Sequence, residues 1–285
     1  MIKLYHLLTP YIIIGSINYF FVKDALKFAN PMAIMSLRYL IAFASMMLIS
    51  YPIKHKIKII INKDTFLLSL FTTISTALWI YGLIYLTPAE SAVFGYTMPL
   101  FLVPVSYFIL SEKPLKITLF GIFIGFSGVI IYSIFSSGIE FSIGAILTIM
   151  NAFFWALFTA YFRKLRNYNP LDIVSTQFLL TALMFSLPSA IEGDYKFNFN
   201  TEFVSDLIYI SVLGGTILFL LWDFIVTKID AVKASSYIFS IPALTMAIQS
   251  LISLSIPPLG QIIGAIIMFI GIYLSNSGGR RLKHN

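Results

Sequence analysis

The sequence predicts an all-α membrane protein of ten transmembrane helices, built as two inverted five-helix repeats with an N-in/C-in topology. Three observations predict it: a shortage of charge, a series of apolar runs about 20 residues long, and self-similarity at a fixed offset. Of 285 residues, 59% are hydrophobic and 11% charged, with a mean hydropathy of +0.90. A soluble globular chain carries roughly a quarter charged residues, so this one has too little polar material to cover a wet surface. That excludes a soluble enzyme, a disordered tail, a fibre and a disulfide-rich secreted module. Cysteine is absent, which removes disulfides, zinc knuckles and thiol chemistry.

The apolar runs fall at 5–22, 31–52, 65–86, 88–110, 115–135, 142–162, 170–190, 203–227, 231–254 and 257–276. Pro88 and the Pro257-Pro258 pair mark the two least obvious breaks, because proline cannot continue a helix through its own position. The first run follows Lys3 as a signal peptide would, but it lacks a small-x-small cleavage site and meets Lys23 and Asp24. It reads as a retained helix. A β-barrel would alternate in ten-residue segments instead. Loops between the runs are short, so successive helices are antiparallel neighbours.

Orientation follows from the basic residues, which favour cytoplasmic loops. With the N-terminus inside, fifteen of the 19 Lys and Arg residues lie on cytoplasmic segments, and only Lys23, Lys27 and Lys196 lie outside, the last beside Glu192, Asp194 and Glu202. Arg38 lies within a helix. The formal charge of +7 is thus a sidedness signal. It is no footprint for nucleic acid, and the expected partners are the lipid bilayer and a small-molecule substrate.

At an offset of 143, Trp79 matches Trp222, Pro99 matches Pro242, Pro114 matches Pro257, Gly121 matches Gly264 and Gly128 matches Gly271. Earlier in each half the offset is 139, pairing Asn30-Pro31 with Asn169-Pro170 and Arg38 with Gln177. The repeats span 1–138 and 139–279, followed by a basic cytoplasmic tail at 280–285. Five is odd, so the second copy enters the membrane from the opposite side. Such inverted repeats underlie many secondary transporters, with substrate held near the midplane; duplication that merely enlarges a bundle is the plainer alternative.

Each repeat places small residues before a mid-helix proline, TPAESAVFGYTMP at 87–99 and DAVKASSYIFSIP at 230–242. Small residues let helices approach, and Pro99 and Pro242 free a carbonyl and bend the helix, making them candidates for kinking or gating. Gly121, Gly125 and Gly128, with Gly264 and Gly271, give the fifth and tenth helices smooth faces for packing.

Together, Arg38 in LRYLIA, Ala89 and Ala92 before Pro99, Glu112, Gly121 and Gly128, and the recurrence of this order resemble the EamA-type ten-helix transporters of the drug/metabolite transporter superfamily. The resemblance covers nearly the whole chain. It implies a multi-pass permease of the cell membrane, with a central cavity between the repeats carrying small organic metabolites such as amino acids, often outward. A flippase for lipids or lipid-linked sugars is the alternative, and a passive channel a further one. Two matches fail: Ser255 stands opposite Glu112, although Gln261 and Gly264 keep the nearby Q-x-x-G, and no Trp precedes Gly15.

Ionisable groups in hydrocarbon cost roughly 2.5–3.5 kcal/mol on insertion scales, so each asks for a reason. Arg38 lies about seven residues, or about 10 Å, into its helix. It reads either as a cavity cation for a carboxylate or phosphate, or as a structural Arg paired to a carbonyl or to Glu90. Glu90 reads as a helix cap or as an outer gate or proton site, which makes protons a candidate coupling ion. Asp223 reads as an inner-interface residue loosely placed to pair with Lys228, and Glu112 as a loop hydrogen-bonding or salt-bridge residue. Asn18, Asn151 and Gln177 suit bonds across helices or to substrate; Tyr81, Tyr96 and Tyr237 offer hydroxyls, and Trp79 and Trp155 flat walls. The substrate-binding set is therefore Arg38, Trp79, Tyr81, Glu90, Tyr96, Trp155, Gln177 and Tyr237. His6, His55 and His284 lie in tails or a loop, and GxGD and GxSxG are missing, so no metal, cofactor or catalytic residue is expected.

Overall fold

A computed structural model describes residues 4–137, 142–192 and 197–277. The repeat boundary at 138/139, the tail at 280–285, Asp194 and Lys196, and the side chain of Glu192 lie outside the described residues. The described chain is helical: α1 (Tyr5–Ala25), α2 (Pro31–Ser50), α3 (Lys63–Tyr85), α4 (Pro88–Gly95), α5 (Met98–Leu110), α6 (Lys116–Ser137) and α7 (Ile143–Lys164). Then come α8 (Pro170–Glu192), α9 (Thr201–Ile208), a π-helical segment (Tyr209–Ile217), α10 (Leu218–Lys228), α11 (Ala231–Tyr237), α12 (Ser240–Ser253) and α13 (Leu259–Ser277).

These elements form ten rods, because α4 continues into α5, α9 through the π segment into α10, and α11 into α12. Eight rods are long and apolar enough to cross a membrane. The other two are α1, which carries Asn18, Lys23 and Asp24, and α13, whose apolar stretch is Leu259–Ser275. Polar residues on α1 are tolerable because Ser16 and Asn18 are buried against protein.

Local chemistry sets the rod ends. Asn30 accepts from the Ala33 N–H at 2.8 Å ahead of Pro31, and Asn62 and Thr65 form a reciprocal capping box. Such caps contribute about 1 kcal/mol each. The two split rods turn at 96–97 and 238–239, just before Pro99 and Pro242. Each proline lacks the N–H that would bond back one turn, and its ring crowds that carbonyl.

Helices α6 and α13 meet glycine on glycine. A Cβ at Gly271 would lie 2.5 Å from the Gly125 nitrogen and 2.6 Å from the Gly121 oxygen, so only hydrogen fits. The remaining contacts pair off when the halves are exchanged. Helix α3 packs on α7 much as α1 packs on α10 and the π segment, and α5 packs on α7 as α12 does on α1. Helix α2 lies on α8, its own counterpart.

Polar contacts gather at the two ends. At one, the basic face, His55 and the Lys58 N–H both bond the Asp172 carboxylate, at 2.8 and 2.9 Å, and Lys164 bonds Asp64 at 2.8 Å. There too Arg163 reaches Glu112 at 2.8 Å and the Val226 and Thr227 carbonyls at 3.1 and 2.8 Å. Glu112 also accepts from the Ala231 N–H at 3.3 Å. At the opposite face Lys23 donates to the Leu83 and Ile84 carbonyls at 2.7 and 3.0 Å, and the Ala89 N–H donates to Gln249 at 3.1 Å. An isolated bridge joins Ala29 to Phe197 there, and Lys27, beside Asp24, has its pKa pushed up by that carboxylate.

Candidate functional site

A cavity of about 80 Å³ lies between the two faces, walled by α1, α2, α3, α7 and α10 with Tyr96 closing the turn after α4. Two of its walls are repeat mates. Ser75, Thr76 and Trp79 on α3 and Leu218, Phe219 and Trp222 on α10 stand 143 positions apart, and all six line it. On a helix, positions i, i+1 and i+4 share one side, so each triplet presents a single face.

Aromatic rings run around the cavity in unbroken contact. Tyr11 stacks on Trp222 at 5.2 Å, Trp222 meets Trp155 edge-on at 6.3 Å, and Trp155 meets Tyr96 at 5.2 Å. Tyr19 follows at 6.5 Å from Tyr96 and 5.3 Å from Trp79. All three tryptophans of the chain line this space. Trp222 donates its ring N–H to Thr159 at 3.0 Å, whereas that of Trp79 has no acceptor among the described residues.

Arg38 is the cavity's cation, and it is only 2% exposed. Its Nη2 donates to the Gly214 carbonyl at 2.8 Å; among the described residues its Nη1 has only the Met35 sulfur at 3.9 Å, and its Nε has no partner. Trp79 lies 5.5 Å from the guanidinium. The acceptor owes its freedom to the π segment. The Leu218 N–H reaches back to the Leu213 and Gly215 carbonyls and passes over Gly214, leaving that carbonyl for Arg38. A Cβ at Gly214 would overlap Asn18 Oδ1, so a larger residue there would have to displace Asn18, whose Oδ1 is buried without a partner among the described residues. π-Bulges of this kind are frequent at functional sites.

Of the eight residues expected to bind substrate, Arg38, Trp79, Tyr96 and Trp155 line the cavity and four do not. Glu90 closes a capping box with Thr87, its Oε2 accepting from the Thr87 N–H at 3.0 Å. The pull of a helix N-terminus on a carboxylate wins there, and Arg38 does not pair with it. Gln177, fully buried, donates to Thr72 at 2.6 Å between α8 and α3. Tyr81 sits two residues beyond Trp79, about 200° around the helix, and packs on the core, as Tyr237 does at the end of α11. Asp223 is 3% exposed and joins no ion pair with Lys228 among the described residues. Glu112 makes the salt bridge open to it, with Arg163 in the last turn of α7.

Sequence reasoning passed over Tyr11, Tyr19, Ser75, Thr76, Phe158, Leu218 and Phe219 as site residues. Ser75 and Thr76 were within reach, lying one turn before Trp79 on its own face, and their mates follow at 143. Tyr11 and Tyr19 carried no signal in a chain with 16 tyrosines.

A family model described as the EamA-like transporter family matches residues 7–134 and again 142–277. An uncharacterized transporter in the sor 3' region of Acidianus ambivalens is 47% identical over 226 residues, covering 79% of this chain and 88% of that protein. The uncharacterized transporter YvbV of Bacillus subtilis is 26% identical over 283 residues, covering 97% and 92%. One solved crystal structure, at 16% identity, superimposes with a TM-score of 0.81 over 98% of each chain, a likeness of fold.

Proposed function

The chain belongs to the EamA-like transporter family, a multi-pass membrane transporter, and we propose that it carries small organic metabolites of amino-acid size through the cavity on α3 and α10. In this reading the two halves are inverted five-helix repeats, both termini are cytoplasmic, and the protein sits in the cell membrane. The observation that carries it is the cavity wall itself: triplets at a fixed offset of 143 face one cavity. A carrier must expose one site alternately to two sides, and two related halves around that site supply two related arrangements. The polar clusters at the basic and opposite faces are then the two gates. Arg38, Trp79, Tyr96 and Trp155 contact the substrate, and Pro99 and Pro242 supply the breaks at which the gating segments move.

Counterflow in proteoliposomes tests this. A carrier exchanges labelled metabolite faster when unlabelled metabolite is loaded on the far side. Flux that rises without saturation and ignores the far side would indicate a channel, and movement of labelled lipid alone a flippase; either result overturns the carrier reading.

A further inference from the structure

We infer that the cavity binds a small organic monoanion, a carboxylate on an apolar or aromatic body, with the carboxylate held by Arg38. This deepens the carrier reading by naming the substrate class, and it rests on that reading only for what binding achieves.

The guanidinium is buried, yet among the described residues it takes part in no ion pair. Among the described residues, no Asp or Glu lines the cavity. A buried charge without a counter-charge is costly, and a well-placed partner offsets part of that cost. Arg38 spends one donor on the Gly214 carbonyl, which fixes its position, and keeps Nε–H and nearly all of Nη1 unsatisfied. A guanidinium's planar donors match a carboxylate in shape and charge. The bound anion completes the site.

Charge counting narrows the class. One cation neutralises one negative charge, whereas a phosphate monoester carries about −1.5 to −2 at neutral pH and would leave the cavity negative. A zwitterionic amino acid brings an ammonium for which the lining offers no carboxylate. Around the cation, Trp79, Trp155, Trp222 and Phe219 present flat apolar walls, which suit an unsaturated or aromatic body. A phosphodiester lipid headgroup shares the single charge of a carboxylate, so the experiment separates the two.

Because every tryptophan lines the cavity, intrinsic fluorescence of the purified protein reports its occupancy. Phenylacetate, phenylacetamide, phenethylamine, phenylalanine and a short-chain phosphatidylglycerol are titrated in turn. Phenylacetate is expected to bind about tenfold or more tighter than its amide, its amine or the zwitterion, the margin of a charge-assisted hydrogen bond over a neutral one. Arg38→Lys should weaken the acid only, and Arg38→Gln should equalise acid and amide. Equal binding of acid and amide, stronger binding of the amine or the lipid, or no response to any probe overturns the inference. The acid-to-amide ratio on the unaltered protein decides even if a variant does not fold. Acid binding without counterflow fails the carrier reading alone; counterflow of uncharged solutes without acid preference fails this inference alone.

Discussion

Lys23 and Arg163 hold equivalent positions at opposite ends of the molecule. Lys23 donates to the carbonyls of Leu83 and Ile84, and Arg163 to those of Val226 and Thr227. The acceptors are mates at the offset of 143, and the donors stand 140 apart. Each cation thus closes the C-terminal end of the third rod of its half, where unpaired carbonyls favour positive charge. The equivalence stops at the bridge between halves. On the basic face Glu112 joins Arg163 to the Ala231 N–H; on the other, neutral Gln249 meets the Ala89 N–H. An ion pair thus ties the halves together on the basic face, where the opposite face has a neutral hydrogen bond.

Glu112→Gln should therefore open the basic face. In this Cys-free chain, Ser91→Cys and Ser235→Cys report the two ends, since both serines are fully buried one turn inside α4 and α11. Maleimide labelling at position 235 is expected to rise roughly tenfold, with labelling at 91 unchanged or lower. Gln249→Ala should do the reverse. A joint rise at both positions would mean general loosening and no gate.

Arg38→Met is expected to leave stability unchanged or to raise it by about 1–3 kcal/mol, because a buried charge without an ion partner is traded for apolar volume. Thermal unfolding of purified protein measures it. A loss beyond about 2 kcal/mol would assign Arg38 a structural role instead.

Gly214→Ala should destabilise the protein by about 1–3 kcal/mol through overpacking against Asn18. Asn18→Gly removes the obstructing group, so the double variant should recover more than half of that loss. Simple additivity in the cycle would show that the two residues do not press on each other.

Gly271→Val forces α13 off the α6 backbone and is expected to cost about 2 kcal/mol or more, read as a lower unfolding temperature. The cavity lies elsewhere, so the folded fraction should keep its ligand affinity. Altered affinity would couple the α6–α13 seam to the site.

For topology, Lys58→Cys is expected to react with impermeant reagent only from the cytoplasmic side. Reaction from outside alone would invert the assignment.

The sequence by itself determined the ten rods, the proline breaks and the pairing of Trp79 with Trp222 at a fixed offset, because hydropathy, helix breaking and repetition are written along the chain. Tertiary structure alone decided which side chains share the cavity. A helix turns 100° per residue, so a small rotation decides whether Trp79 or Tyr81 faces inward, and that rotation is fixed by neighbouring rods. Glu90 and Gln177 read as site residues until packing gave each a nearer partner, Thr87 and Thr72. Arg38 was conspicuous from composition, but its meaning depended on a carbonyl 176 residues away and on the lack of an ion-pair partner among the described residues. Partners of a buried charge are set by where the chain returns, and no local pattern records that.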